Sequence, residues 1–519
     1  MTVVFVFVFG LVSSWLWAVE AGSSKLELVV KPRGDERLLR RGNATVEYLK
    51  YGAQSYNALT TIGEYSFLLS LDTGSADTWV VSSSCRTAEC KGLPAYPEHL
   101  TSPTFGSINN NHTAFKIGFA DGTRATGLVA SERMGVGGFN LTSQVFGLVN
   151  DTNVTLSVGD HEASGVLGLG FPRLSQIGKA VPGAIPPVAR LAQQGALSYP
   201  MFGLSLRKND TGTLSLGAID ADVVKNQSLI SWHNVAPFPT LLNDNSSIYL
   251  QWAIHLSGVA VHEWSQRQLN STYPATTGSQ PLALFDLGAN GIYGPTADVA
   301  ELFSQIPASR LVGDGQYAIP CDTTLRMSFT FGSRNYTLQP HDYIFSRVIN
   351  PSNMCLAWPR ATAPSEDGID WQFGTPFMRT VYSIFRASQI GLYPVSPDVV
   401  IDTEESISQS STTTPSPSGT ASSPTSTFEY SVPTLGEPAS SGLGASTYSA
   451  LLTRTTPLPS AHAPVVVVTD SNGSATTQAM PMQSVILGGP EINSASRPWT
   501  FGFGLWTGLL SVVYVILLI

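Results

Sequence analysis

The chain has 519 residues, a formal net charge of −9 and 13% charged residues, about half the ~25% usual for soluble domains. That balance excludes a phosphate-binding role of the nucleic-acid type, which needs clustered Lys and Arg, and it suits acidic surroundings. The 43% hydrophobic residues are enough for sizeable cores.

Residues 1–21 open with Val3-Val4-Phe5-Val6-Phe7-Val8-Phe9 and stay largely apolar to Trp17, with small residues at Ala18 and Ala21. This is the pattern of a signal peptide, although its first residues carry no Lys or Arg. In residues 22–41 the bases Lys25, Lys31, Arg33, Arg37, Arg40 and Arg41 outnumber Glu27, Asp35 and Glu36. A basic segment ahead of an acidic chain reads as a pro-segment. Arg40-Arg41 then reads as a dibasic processing site, with the mature chain starting near Gly42.

The run Phe67 to Leu71, with only Ser70 polar, carries an aspartate to the end of an expected strand: Asp72-Thr73-Gly74-Ser75. Trp79-Val80-Val81 follows as a second strand-like run. Alone, Asp-x-Gly is ordinary turn chemistry. The pattern returns, however, in Leu282-Ala283-Leu284-Phe285-Asp286-Leu287-Gly288-Ala289, followed by Ile292-Tyr293-Gly294-Pro295. Each aspartate is followed later by an apolar segment ending in glycine: Gly165-Val166-Leu167-Gly168 and Trp371-Gln372-Phe373-Gly374. The chain therefore reads as two similar halves.

Short alternating runs such as Phe115-Lys116-Ile117-Gly118-Phe119 and Met327-Ser328-Phe329-Thr330-Phe331, separated by Gly, Asn and Ser clusters, predict an all-β fold. A few helices are expected: Pro187 to Gln194, Ala297 to Gln305 with Thr296 as N-cap, and Pro376 to Val381. Four cysteines in a secreted-looking chain point to disulfides, and four allow three pairings. Neither a Cys-x-x-Cys motif nor a metal-ligand spacing of histidines occurs. Asn-x-Ser/Thr triplets at Asn43, Asn111, Asn140, Asn150, Asn153, Asn209, Asn226, Asn245, Asn270, Asn335 and Asn472 favour a glycosylated surface protein.

From residue 398 to 492 the composition turns polar and low in complexity, with Ser, Thr and Pro crowding Thr403 to Thr427. A packed core is not expected there, and an O-glycosylated stalk is the natural reading. Residues 493–519 place a small triplet, Asn493-Ser494-Ala495, before a polar spacer and an uncharged tail, Phe501 to Ile519. That order matches a glycolipid-anchor signal, with attachment at Asn493 or Ser494. The rival is a single transmembrane helix, but no basic residue follows the tail to hold a cytoplasmic end.

Over residues 45 to 397 these motifs resemble the pepsin-type aspartic endopeptidases, most of all the glycolipid-anchored, yapsin-like fungal branch. The resemblance implies two β-rich lobes, here 42–215 and 216–397, each giving one aspartate to a cleft. Asp72 and Asp286 would hold a water between them, with no metal or organic cofactor. It also implies roles for their neighbours. Thr73 braces one lobe's loop against the other, Ser75 hydrogen-bonds the first carboxylate, and Gly74 and Gly288 complete the two turns. Trp79 lies under a mobile flap built around Phe119, Asp121 and Gly122. Cysteines pair locally, Cys85 with Cys90 and Cys321 with Cys355.

Three departures from the family's pattern stand out. Leu287 fills the place of a Thr or Ser in the second motif, so the brace between lobes loses one arm. Ala289 stands where a hydroxyl often supports the second carboxylate. Phe119 replaces the usual flap tyrosine. The expected protein is a monomeric acid endopeptidase acting on peptides and proteins at the cell surface, on the extracellular side. The alternative is a weak or inactive protease fold that binds peptides or organises the cell wall.

Overall fold

Gly63 and Glu64 form a two-residue turn, with Gly63 at φ 63°, that joins the strands Ser55–Ile62 and Tyr65–Asp72. The structure is a computed structural model. It describes residues 38–395 apart from short connecting segments and, beyond them, Tyr430–Ser431, Val465–Thr469 and Ala475–Ala479. The signal segment, most of the pro-segment, the anchor signal with Asn493 and Ser494, and the triplets at Asn43, Asn209, Asn245 and Asn472 lie outside the described residues.

Strand Tyr65–Asp72 delivers Asp72 at its last position and pairs in parallel with Gly165–Gly168, in the register Gly168 to Asp72. Gly165–Gly168 pairs on its other side, antiparallel, with Trp79–Val81. The second half repeats this arrangement. Leu282–Phe285 ends one residue before Asp286 and runs parallel to Trp371–Phe373, which pairs antiparallel with Ile292–Pro295. The crossing strands end at glycines because the chains approach closely. A Cβ on Gly168 would lie 2.4 Å from the Ala76 carbonyl carbon, and one on Gly374 would lie 2.1 Å from Ala289 O.

The halves are joined by a continuous run of strands in the order Ser231–Asn234, Gln389–Pro394, Val381–Arg386, Met201–Ser205, Gly212–Leu216 and Ala44–Gly52. The first three come from the second half and the last three from the first. Aromatic side chains seal the junction. Trp252 sits 4.1 Å, centroid to centroid, from Phe171 and donates through Nε1 to Leu169 O at 3.0 Å. Burying such rings dominates core energetics. The fold is all-β and two-lobed.

The helices differ in detail from expectation. Pro187–Gln193 forms as expected. The next helix is Thr296–Ser304, one residue longer at its start, and Pro295 is its N-cap. Thr296 does not cap, because its hydroxyl donates to Thr362 O at 3.1 Å. The third is the single turn Thr375–Met378, and Val381 already begins a strand. Helix Gln176–Ala180 was not anticipated. Ser175 caps it, and buried Asp77 accepts from Ser175 Oγ (2.5 Å), Gln176 N (2.8 Å) and Ile177 N (3.2 Å), tying the first aspartate loop to the helix.

Within the stretch read as a stalk, Val465–Thr469 pairs antiparallel with Ala475–Ala479. A four-valine run has strong strand preference, which outweighs the polar composition around it. Near the start of the described chain, Leu38–Arg41 pairs antiparallel with Ala44–Gly52, so the Arg40-Arg41 pair lies within a hydrogen-bonded strand.

Candidate active site

Asp72 and Asp286 are both fully buried, and their carboxyls converge on the same glycine, Gly288. Each sits on a turn that supplies a backbone donor two residues on. Gly74 N reaches Asp72 Oδ1 at 2.8 Å, and Gly288 N reaches Asp286 Oδ1 at 2.9 Å. Glycine is required at 288, where a Cβ would lie 2.6 Å from Asp72 Oδ1 and 3.1 Å from Asp286 Oδ1. On the outer side, Ser75 Oγ donates to Asp72 Oδ2.

Burial pushes both carboxyls above the ordinary carboxylate range. Asp286 rises further, because the neighbouring Asp72 charge adds to its desolvation. Two carboxyls this close share protons, so their titrations belong to the pair. One ionised and one protonated carboxyl, side by side, can take a proton from water and give one to a substrate oxygen.

The family model described as Eukaryotic aspartyl protease matches residues 55–394. The chain belongs to that family. It is 30% identical over 332 residues to an aspartic protease of Phaffia rhodozyma, covering 63% of this chain and 72% of that protein. It is 27% identical to mouse cathepsin E over 362 residues, covering 67% and 82%. It is 26% identical to the major aspartyl peptidase 1 of Cryptococcus neoformans over 358 residues, covering 67% and 70%. These relatives are proteolytic hydrolases of the aspartic type.

In this aspartyl protease the brace between lobes rests on Thr73. Its Oγ1 donates to Phe285 O and accepts from Leu287 N, both at 2.8 Å. Leu287 has no hydroxyl to return the contact. Its side chain is instead 1% exposed and packed in the main hydrophobic core. Apolar packing replaces the missing arm.

The segment read as the flap is the hairpin of Ala114–Gly118 with Arg124–Val136. Phe119 N donates to Thr123 O at 2.8 Å, and Gly122 turns the tip at φ 83°. Asp121 Oδ1 accepts from Thr123 N and Oγ1 at 2.8 and 2.7 Å, which stiffens the turn. Phe119 packs with Trp79 in one buried cluster. Trp79 Nε1 is buried and has no hydrogen-bond partner among the described residues.

One residue escaped the sequence reading. Gln372, within a segment taken as apolar, donates through Nε2 to Asp286 Oδ2. A polar side chain inside an otherwise apolar strand that ends in glycine was the available signal.

The local cysteine pairing is present: Cys85 bridges Cys90, and Cys321 bridges Cys355. Of the glycosylation triplets within the described residues, Asn111, Asn140, Asn150, Asn153, Asn226 and Asn270 are exposed. Asn335 is half-buried and accepts from Thr330 Oγ1 at 2.6 Å.

Proposed function

We propose that this protein is an active endopeptidase whose catalytic pair is Asp72 and Asp286, working at acidic pH. The observation that carries the reading is the pair of fully buried carboxyls, one from each lobe, whose Oδ1 atoms converge on Gly288. In the working state one carboxyl is ionised and the other protonated. The ionised one takes a proton from the attacking water as its oxygen bonds to the scissile carbonyl carbon. The protonated one hydrogen-bonds the carbonyl oxygen. The tetrahedral adduct then collapses, the carbon–nitrogen bond breaks, and a proton passes to the leaving nitrogen. Such positioned proton transfer is typically worth ~10²–10⁴ in rate. The flap closes over the extended peptide and excludes water.

The decisive assay compares the wild type with Asp72→Asn on a denatured protein substrate from pH 3 to 7. Activity on the acid side, blocked by a statine inhibitor and absent in the variant, is expected. A folded, processed wild type no better than the variant sinks the reading. It would also favour the peptide-binding alternative, whose motive is Leu287 together with Phe119.

We further infer that the protease is secreted, processed after Arg41 and held at the cell surface by a glycolipid at Asn493 or Ser494, as in yapsin-like fungal enzymes. The support is the order of apolar leader, dibasic pair, Ser/Thr-rich stretch and uncharged tail. Phosphatidylinositol-specific phospholipase should release it from cells. Retention while an anchored control is released would favour a transmembrane tail.

A further inference from the structure

We propose that Gln372 is the positioning residue of the second aspartate, its side-chain amide doing for Asp286 what the Ser75 hydroxyl does for Asp72. The proposal rests on the reading of these aspartates as the catalytic pair.

The two lobes repeat the same strand arrangement, which lets their supports be compared position by position. Ser75, three residues after Asp72, donates to Asp72 Oδ2. The residue three after Asp286 is Ala289, fully buried and without a donor in its side chain. The second carboxylate is nevertheless held at the same oxygen, because Gln372 Nε2 donates to Asp286 Oδ2.

Gln372 comes from the crossing strand Trp371–Phe373, in register with Leu284 and Tyr293. Its counterpart in the first lobe is Val166, in register with Ser70 and Trp79. Val166 is fully buried in an apolar cluster with Trp79. Gln372 is only partly buried and lines a cavity of about 190 Å³ with Ala120 of the flap, Leu284 and Tyr293. The donor has therefore moved from the aspartate's own loop to the neighbouring strand. Together with Gly288 N on Oδ1, it gives each oxygen of Asp286 a donor from the second lobe.

The test uses the full chain with Gln372→Leu and, separately, Gln372→Leu combined with Ala289→Ser, which restores a hydroxyl at the position equivalent to Ser75. For Gln372→Leu, kcat should fall on the order of 10- to 100-fold, with KM little changed. The ionised form of the pair loses a donor, so the pH profile of kcat/KM should move to higher pH by about one unit. The double variant should return the profile toward the wild-type position. A Gln372→Leu enzyme that melts earlier but keeps kcat and an unmoved profile overturns the proposal, as does a shift that Ala289→Ser leaves untouched. Binding of a statine inhibitor to the wild type separates the two readings. A wild type that neither cleaves nor binds it overturns the catalytic pair itself, whereas one that does both, with an unaffected Gln372→Leu, overturns only this inference.

Discussion

The backbone amide of Leu287 donates to the Thr73 hydroxyl at 2.8 Å, and the same hydroxyl donates to Phe285 O at the same distance. One side chain of the first lobe thus satisfies two backbone groups of the second, immediately beside both aspartates. In Thr73→Val both groups lose their partner in a dry interior. A buried polar group left unpaired costs ~1–3 kcal/mol. Denaturant unfolding should show a loss of about 2–4 kcal/mol, accompanied by a fall in kcat as the carboxyls lose alignment. A Thr73→Val protein of wild-type stability would mean that the brace is dispensable. Leu287→Thr is a weaker experiment, because it removes buried apolar packing while adding a hydroxyl.

Trp79 and Phe119 make the second prediction. The indole is buried beside the flap with its Nε1 unpartnered, and the phenyl ring of Phe119 packs in the same cluster. Phe119→Tyr adds a hydroxyl to the cluster that holds this orphaned donor. A gained hydrogen bond is worth ~0.5–1.5 kcal/mol, so kcat/KM should rise by about two- to tenfold. The comparison is made on one peptide substrate at the acid optimum. Equal or lower activity would show that the flap is already held well enough by apolar packing.

Much of this site was legible because its chemistry is local in sequence. Asp72-Thr73-Gly74-Ser75 sets the carboxylate, its backbone donor, its hydroxyl donor and the Thr73 brace within four positions, and the contacts of Gly74, Ser75 and Thr73 all form. The repeat of apolar run, aspartate and glycine exposed the two-lobed β architecture for the same reason. What escaped was contact across strands. Gln372 meets Asp286 only because parallel pairing brings the crossing strand alongside. Similarly, the fate of Leu287 depends on a core assembled from distant segments. Thr296 looked like a helix cap but found a partner on the strand Arg360–Thr362.

The buried pair also links stability to pH. Burial raises both carboxyls, and Asp286 more, above the value each has in the unfolded chain, about 3.9. A raised acid binds its proton more tightly in the folded state. Its stabilising contribution is therefore complete below the unfolded value and is lost as pH rises through the folded one. Thermal melting of the wild type should decline from acid toward neutral pH, and Asp286→Asn should flatten that decline. Identical slopes in the two proteins would show that other groups govern it. The experiment needs no activity and is run on unliganded protein.

His233 acts in the opposite direction. It lies on the strand Ser231–Asn234, beside Phe331 and facing Arg334, with Nε2 buried and unpartnered among the described residues. Burial, aided by the Arg334 charge, pushes its imidazole down to about 4. In the unfolded chain the ring takes its proton near 6.5, so between these values the unfolded state binds a proton that the folded state refuses. Stability is therefore full above the unfolded value and is lost as pH falls toward the folded one, by about 3 kcal/mol in all. His233→Phe removes the titration and keeps a ring in the site. The variant should hold its neutral-pH stability down to pH 4 better than the wild type, measured by denaturant unfolding at pH 7.5, 5.5 and 4. If both proteins weaken in parallel, His233 is charged or compensated in the fold. If only the wild type weakens, this one buried ring sets the acid limit of an enzyme whose catalytic pair is favoured by acid, and its replacement widens the working range.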